Sequence, residues 1–138
     1  MLYIKHPNRV LIIFFIPLLR TIIIPLLLCD IWIEIYHRIF FPLYKIPLIK
    51  RKDYILIMDR NKLPYLSSMQ KLNCMYCWYA NGVMRYWSKI AWDTEHYWCG
   101  IQHKKNPDFI EEEHQKSFSA YGDKEWFEKN YAKEGKGQ

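Results

Sequence analysis

Four side chains that can bind a metal or carry thiol chemistry occur as two pairs in the second half of the chain. Cys74 and Cys77 form a C-x-x-C pair, and His103 follows Cys99 by four residues. Zinc prefers thiolate and imidazole ligands, and four of them make a closed, tetrahedral structural site. Thiolates also suit iron or an iron–sulfur cluster. The spacing therefore predicts one metal site, with zinc as the first expectation, held by Cys74, Cys77, Cys99 and His103.

Other interpretations of the thiols stay open. A C-x-x-C pair before a helix is typical of a redox dithiol, although a thioredoxin-like site also needs a βαβ context, which this sequence hardly offers. The cysteines can equally be structural thiols packed among aromatic rings. A smaller ligand set of His96, Cys99 and His103 would lie on one face of a continuous helix, where a mixed polar face is the simpler interpretation.

The segment between the two pairs decides whether they can meet. Apolar and aromatic residues recur about one turn apart from Tyr76 to Tyr97, which indicates a helix. One unbroken helix would separate Cys77 from Cys99 by about 33 Å, at about 1.5 Å per residue. A joint site therefore needs the chain to double back, or two chains to meet in a dimer. Gly82 marks either a helix end or a close approach of two helices.

An apolar segment at residues 10–29 contains Arg20 as its single charge. It has about the length that crosses a bilayer, roughly 20 residues. Pro17 and Pro25 favour a kink, so the segment is either a single spanning helix or a re-entrant hairpin. A cleavable signal peptide is disfavoured, because no small residues follow the apolar run.

Residues 30–41 differ from this segment by carrying one narrow polar stripe. Asp30, Glu34 and Arg38 recur four residues apart, with His37 beside them, on a helix that is otherwise apolar and aromatic. Such a pattern is typical of a helix at the lipid interface, with the stripe and His37 facing water.

The net charge of +6 is unevenly distributed. Residues 1–52 carry eight basic and two acidic residues, whereas residues 107–138 carry five and eight. Basic residues beside an apolar segment favour anionic lipid as the binding partner, and their excess after the segment favours a cytoplasmic C-terminal domain. No nucleic-acid-binding motif accompanies them, so a nucleic-acid partner is disfavoured.

These patterns predict a mostly α-helical protein, with a membrane-embedded helix or hairpin before a small helical cytoplasmic domain. Residues 1–52 would form the anchor and interfacial helix, 53–132 the Cys/His-containing domain, and 133–138 a disordered tail. Tyr54–Met58 is a candidate for one short strand or a buried stretch. Ser67 or Ser68 is expected to cap a helix, and a further amphipathic helix is expected to start at Pro107, with His114 facing solvent.

The runs KLNCMYCWYANG (71–82) and TEHYWCGIQH (94–103) together resemble a group of small bacterial membrane-linked proteins. In that group a C-x-Y-C-x-Y-A-N-G stretch precedes a T-E-x-Y-W-C-P-I-K-H stretch. The similarity covers about residues 54–105 and places Cys74, Cys77, Cys99 and His103 at matching positions. Gly100 and Gln102 depart from it, since the pattern has Pro and Lys there. The group has no assigned activity, so the resemblance implies a bacterial inner-membrane location but no reaction.

The sequence thus predicts a membrane-anchored protein with a structural zinc domain, serving as a module of a membrane assembly. Its expected partners are the lipid bilayer and either other membrane proteins or a second copy of the chain. The alternatives are a membrane-tethered thiol redox protein and a non-enzymatic membrane-surface adaptor. No reaction is predicted, and the balance is against an enzyme.

Overall fold

The computed structural model describes residues 17–18, 20–56 and 59–130 of the chain. This part contains three α-helices, α1 (Ile23–Leu43), α2 (Ser68–Trp98) and α3 (Lys124–Asn130). Short 3-10 helices lie at Arg51–Asp53, Asp59–Lys62 and Glu113–Ser117. The prediction of a mostly α-helical fold is confirmed.

The chain divides into two compact units, one ending at Ile90 and the other beginning at Ala91. The first unit contains α1 and most of α2. Its core has Phe41, Tyr86 and Ile90 at the centre. The side chains packed around them come from α1, from the segment after it and from α2: Ile33, Tyr36, Ile46, Ile49, Tyr54 and Trp87. In the second unit, Gln115 of the 3-10 helix Glu113–Ser117 and Phe118, which directly follows that helix, are buried.

The start of α2 follows from a reciprocal cap at Ser67. The Ser67 hydroxyl accepts a hydrogen bond from the Gln70 amide at 3.3 Å, and the Gln70 side chain accepts one from the Ser67 amide at 2.8 Å. This capping box satisfies two amides that a helix start would otherwise leave without acceptors. The prediction of a cap at this serine pair is confirmed at Ser67.

Gly82 lies inside α2 and does not end it. A Cβ atom built on Gly82 would lie 2.9 Å from both the Ile55 Cα and the Tyr54 carbonyl oxygen. Glycine is therefore needed because the backbone of residues 54–55 crosses the helix at contact distance. The predicted close approach exists, but it involves an irregular segment and not a second helix.

Two further local predictions are wrong. Residues 54–56 form a turn and an irregular segment where a strand was expected, and residues 57–58 lie outside the described part. No helix starts at Pro107, because residues 107–112 are turn and coil before the 3-10 helix at Glu113. Within the described chain, the nearest approach to a sheet is a single parallel bridge between Ile101 and Ser119.

The predicted membrane segment is described only from its middle onwards. Residues 10–16 and residue 19 lie outside the described residues, as does the predicted tail at 133–138. Among residues 17–18, 20–56 and 59–130, no helix has both the length and the apolar character needed to cross a bilayer.

Candidate functional site

The predicted four-ligand metal site does not form, and the metal-binding function inferred from it is wrong. No three His, Cys, Asp or Glu side chains come close enough to hold a metal ion in the described part of the chain. The physical reason is the path of α2, which runs without a break through Gly82 to Trp98. At about 1.5 Å per residue, the helix from Cys77 to Trp98 is about 30 Å long. Thiolates bound to one zinc ion need to be within a few ångströms of each other.

The four predicted ligands instead lie in separate surroundings. Cys74 and Cys77 are on one face of α2 and line a surface pocket. Cys99 is exposed just after the end of α2, and the ring of exposed His103 lies 5.0 Å from that of Phe109. The smaller set of His96, Cys99 and His103 fails as well, because residues 100–103 are not helical and the i+7 position is lost.

The placement that a redox dithiol requires is also not observed. A reactive C-x-x-C pair sits at the start of a helix that follows a strand. Cys74 lies well inside α2, which starts at Ser68, and the residues described before α2 contain no strand. All four cysteines are free thiols.

A cluster of hydrogen-bonded polar side chains, which no local sequence pattern predicts, lies between α1 and α2. We call it the seam cluster. Its members lie on α1, on the 3-10 helix after it and on α2: Asp30, Glu34, His37, Arg51, Tyr79, Tyr86 and Trp87.

Asp30 is the centre of the seam cluster. It is only 4% exposed, and its carboxylate accepts hydrogen bonds from both terminal nitrogens of Arg51. Tyr79 donates a third hydrogen bond at 2.6 Å and Trp87 a fourth at 3.2 Å. A carboxylate offers about four acceptor positions, so Asp30 is saturated.

A second chain of hydrogen bonds runs through His37, which is 2% exposed. The His37 Nε2 accepts a hydrogen bond from the Ile49 amide at 3.0 Å, so in the neutral ring Nδ1 carries the proton. Nδ1 lies 3.0 Å from the Tyr86 hydroxyl, which in turn donates to Glu34 at 2.8 Å. The Ile49 amide, the His37 ring and the Tyr86 hydroxyl therefore donate in that order, and the Glu34 carboxylate is the final acceptor.

The surroundings of these groups shift their pKa values in opposite directions. Burial raises the pKa of Asp30, but hydrogen bonds from Arg51 and Tyr79 outweigh burial and hold the pKa below its ordinary value of 3.8. Burial and the hydrogen bond to Asp30 raise the pKa of Tyr79 to about 12. Asp30 is thus held ionised and Tyr79 protonated, which keeps their hydrogen bond intact across the physiological range.

The hydrogen-bonding groups of the seam cluster are already paired with each other, which favours a structural role. Each carboxylate and each donor named above already has a partner inside the protein, and a buried network in which every member is satisfied stabilises one arrangement of its elements. The cluster therefore joins α1 to α2. The prediction that His37 and its neighbouring carboxylates face water is wrong, because Asp30 and His37 are buried and Glu34 accepts a hydrogen bond from the buried Tyr86. Arg38 of the same stripe is exposed.

The sequence contained a partial signal for this cluster. The stripe of Asp30, Glu34 and His37 was visible, and polar groups on an apolar helix usually pair in the interior of a bundle. Nothing local indicated the donors on α2, because Tyr79 and Trp87 lie 49 and 57 residues from Asp30.

The second unit has its own carboxylate–imidazole pair. The His114 Nε2 lies 2.7 Å from a Glu95 carboxylate oxygen, and Gln115 donates to the other oxygen at 2.9 Å. The hydrogen bond from His114 is the main reason that the pKa of Glu95 lies below its ordinary value. His114 stacks on Trp92 and is half-buried, so the expectation that it faces solvent is wrong.

Comparison with known proteins adds no assignment. No family model, no curated protein and no solved structure matches this chain. The resemblance of the two cysteine-containing runs to small bacterial membrane-linked proteins stays a prediction.

Proposed function

We propose that the protein binds the surface of a lipid bilayer through the outward face of α1. The observation that carries this proposal is the inverted pattern of that helix. Its buried residues include Asp30 and His37, whereas large apolar side chains cover its exposed side. Trp32 is 74% exposed, Leu28 64% and Ile31 59%.

The exposed apolar side chains form a run along the whole helix, and contiguous patches of this kind mark interaction sites in soluble and membrane-bound proteins. The run consists of Ile24, Leu27, Leu28, Ile31, Trp32, Ile35, Ile39, Phe40 and Leu43. A helix that turns a carboxylate and an imidazole inward and its large apolar groups outward is arranged as in proteins that contact lipid.

Charge supports a bilayer over an apolar protein partner. Lys45, Lys50 and Lys52 follow α1, are exposed, and have no acidic partner in the described part of the chain. Each basic residue near an anionic surface contributes about 1 kcal/mol of attraction. Anionic lipids are concentrated in the cytoplasmic leaflet, so the proposal assigns the protein to the cytoplasmic side of a membrane, as the distribution of basic residues predicts.

The test uses the protein's own cysteines as reporters. Cys29 lies on the exposed side of α1, and Cys99 is exposed in the second unit. Two full-length chains are prepared, each with a single cysteine at one of these positions and serine at the other three. Each chain carries an environment-sensitive fluorophore. The probes are vesicles of phosphatidylcholine alone and of phosphatidylcholine mixed with phosphatidylglycerol.

We expect emission from the label at Cys29 to move to shorter wavelength with the anionic vesicles, and emission from the label at Cys99 to stay unchanged. Flotation of the chain with the same vesicles should weaken as salt is added. Unchanged emission at Cys29 would contradict the proposal. A second outcome would also contradict it: the Cys29 label emits at the shorter wavelength without vesicles, and the chain elutes as a dimer. In that case a second copy of the chain would cover this face.

A further inference from the structure

A surface pocket of about 280 Å³ lies beside the first half of α2. The α2 residues that line it recur three or four positions apart, so they share one face of the helix. They include Asn73, Cys77, Trp78 and Arg85, and Arg60 closes the pocket from the 3-10 helix Asp59–Lys62. The pocket lies within the first unit and is separate from the seam cluster.

The lining of this pocket carries positive charge without a counter-charge. Arg60 and Arg85 both line it, and no carboxylate does. Neither guanidinium has an acidic partner among the described residues, whereas Arg38 and Arg51 both pair with carboxylates of α1. The Arg60 guanidinium lies over the Trp78 ring, 5.6 Å from its centroid, which holds one of the two charges in position.

The polar atoms that lack partners at this pocket are hydrogen-bond donors. The Trp78 Nε1 is buried and has no acceptor in the described part of the chain. An indole N–H can only donate, and a buried donor without an acceptor costs free energy. The Asn73 side-chain oxygen is already engaged by Arg20 at 3.4 Å, so the amide offers its NH2 group. Two guanidiniums and an amide NH2 group therefore line an opening that suits an oxygen-rich anion, beside an indole N–H that has no acceptor.

We propose that this pocket binds the phosphate group of a small ligand. Guanidinium groups bind phosphate oxygens in pairs, with a matching planar geometry. A phosphate monoester carries up to two negative charges and three acceptor oxygens, so it suits two arginines and a further amide donor better than a carboxylate does. The pocket volume is near the lower end for ligand sites and accommodates a phosphate with a short organic group.

The phosphate group could belong to either of two kinds of ligand, a soluble phosphate compound or the headgroup of a lipid. Inorganic phosphate represents the first. Vesicles of phosphatidylcholine mixed with phosphatidic acid, which exposes a phosphate monoester, represent the second. The proposal does not depend on membrane binding by α1, because inorganic phosphate tests the pocket without lipid.

The exposed thiol of Cys77 at this pocket reports occupancy. In a full-length chain with Cys29, Cys74 and Cys99 replaced by serine, Cys77 is alkylated by an uncharged reagent with and without phosphate, at constant ionic strength set with chloride. We expect phosphate to slow alkylation. In the Arg60→Gln/Arg85→Gln chain, the phosphate concentration that gives half of the protection should rise at least about tenfold, since a charge-assisted hydrogen bond contributes about 1.5–3 kcal/mol.

The matched control is Lys62→Gln/Lys104→Gln, which removes the same charge from exposed positions outside the pocket lining and leaves the lysines that follow α1 in place. It should keep the protection of the parent chain. Protection by inorganic phosphate supports a soluble ligand, and protection by phosphatidic acid vesicles alone, lost in the arginine variant, supports a lipid headgroup. The proposal is overturned if neither probe slows alkylation, or if the arginine variant is protected as well as the lysine control. Arg60 and Arg85 are exposed, and an unchanged unfolding midpoint verifies that both variants fold.

Discussion

Arg51 donates two hydrogen bonds to the carboxylate of Asp30, one from each terminal nitrogen of its guanidinium. The two residues are 21 positions apart, and their pairing ties the 3-10 helix at Arg51–Asp53 to the middle of α1. Asp30 also accepts from Tyr79 and Trp87, so one carboxylate connects three elements.

Replacing Asp30 with asparagine is expected to destabilise the first unit by about 3 kcal/mol near neutral pH. The variant leaves the Arg51 charge without its counter-charge in a partly buried position, and removing one member of such a pair is strongly destabilising. Urea unfolding followed by circular dichroism measures the effect. Asp59→Asn is the matched control, because Asp59 is exposed, and its effect should stay within about 0.5 kcal/mol. Equal effects of the two substitutions would contradict the role of Asp30.

The stability difference between the wild-type chain and Asp30→Asn should shrink at acidic pH. The pKa of Asp30 in the folded chain lies below its ordinary value of 3.8. A lowered pKa contributes stability that is complete above the ordinary value and is lost as the pH falls through the folded value. Unfolding curves of both chains, recorded from neutral pH to below about pH 3, should therefore converge. A difference that stays constant with pH would contradict this linkage.

Tyr79→Phe tests the other arm of the same carboxylate at alkaline pH. The pKa of Tyr79 is raised from 10.0 to about 12, so its contribution is complete below 10.0 and disappears as the pH rises through about 12. Near neutral pH the substitution should cost about 1–2 kcal/mol, the net value of a hydrogen bond to a charged group. Above the folded pKa the two chains should be equally stable. Tyr65→Phe serves as the control, since Tyr65 is 73% exposed.

A sequence pattern predicted the structure correctly where it is compatible with one structure only. The serine–glutamine spacing at Ser67 and Gln70 indicates a helix cap and nothing else, and the cap was predicted correctly. The polar stripe of α1 is compatible with two structures, because a stripe on an apolar helix has the same sequence pattern whether it faces water or the protein interior. Only the tertiary contacts of Asp30 and His37 decide between them.

The metal prediction failed for a related reason. Ligand spacing within each pair is local, whereas a joint site depends on the path between the pairs. Gly82 is consistent with a helix end or with a close approach. The structure shows a close approach, by the backbone of residues 54–55, and α2 continues unbroken through Gly82. Glu95 and His114, in contrast, form a contact across 19 residues that no local sequence pattern predicts.

Because Cys99 and His103 do not hold a metal with Cys74 and Cys77, replacing either of them should have little effect on stability. Cys99→Ser and His103→Gln should each change the free energy of unfolding by no more than about 0.5 kcal/mol, because both residues are exposed. Thermal unfolding of each variant measures this. If the four residues held a structural metal, each substitution would remove a ligand and cost several kcal/mol, since metal binding contributes directly to folding. A loss of that size would restore the metal interpretation.

Gly82→Ala should destabilise the first unit, although alanine is the better helix former. In a helix interior alanine is favoured over glycine by about 1 kcal/mol. At this position, however, the added Cβ would lie 2.9 Å from the Ile55 Cα and 2.9 Å from the Tyr54 carbonyl oxygen. Both are backbone atoms, so neither can move aside by a change of rotamer. Overpacking of this kind costs about 1–3 kcal/mol, and we expect a net loss of about 1–2 kcal/mol in urea unfolding.

Ser88→Ala, at an exposed position of the same helix, provides the matched control and should change stability by less than about 0.5 kcal/mol. A Gly82→Ala chain as stable as the control would mean that residues 54–55 do not cross α2 at contact distance.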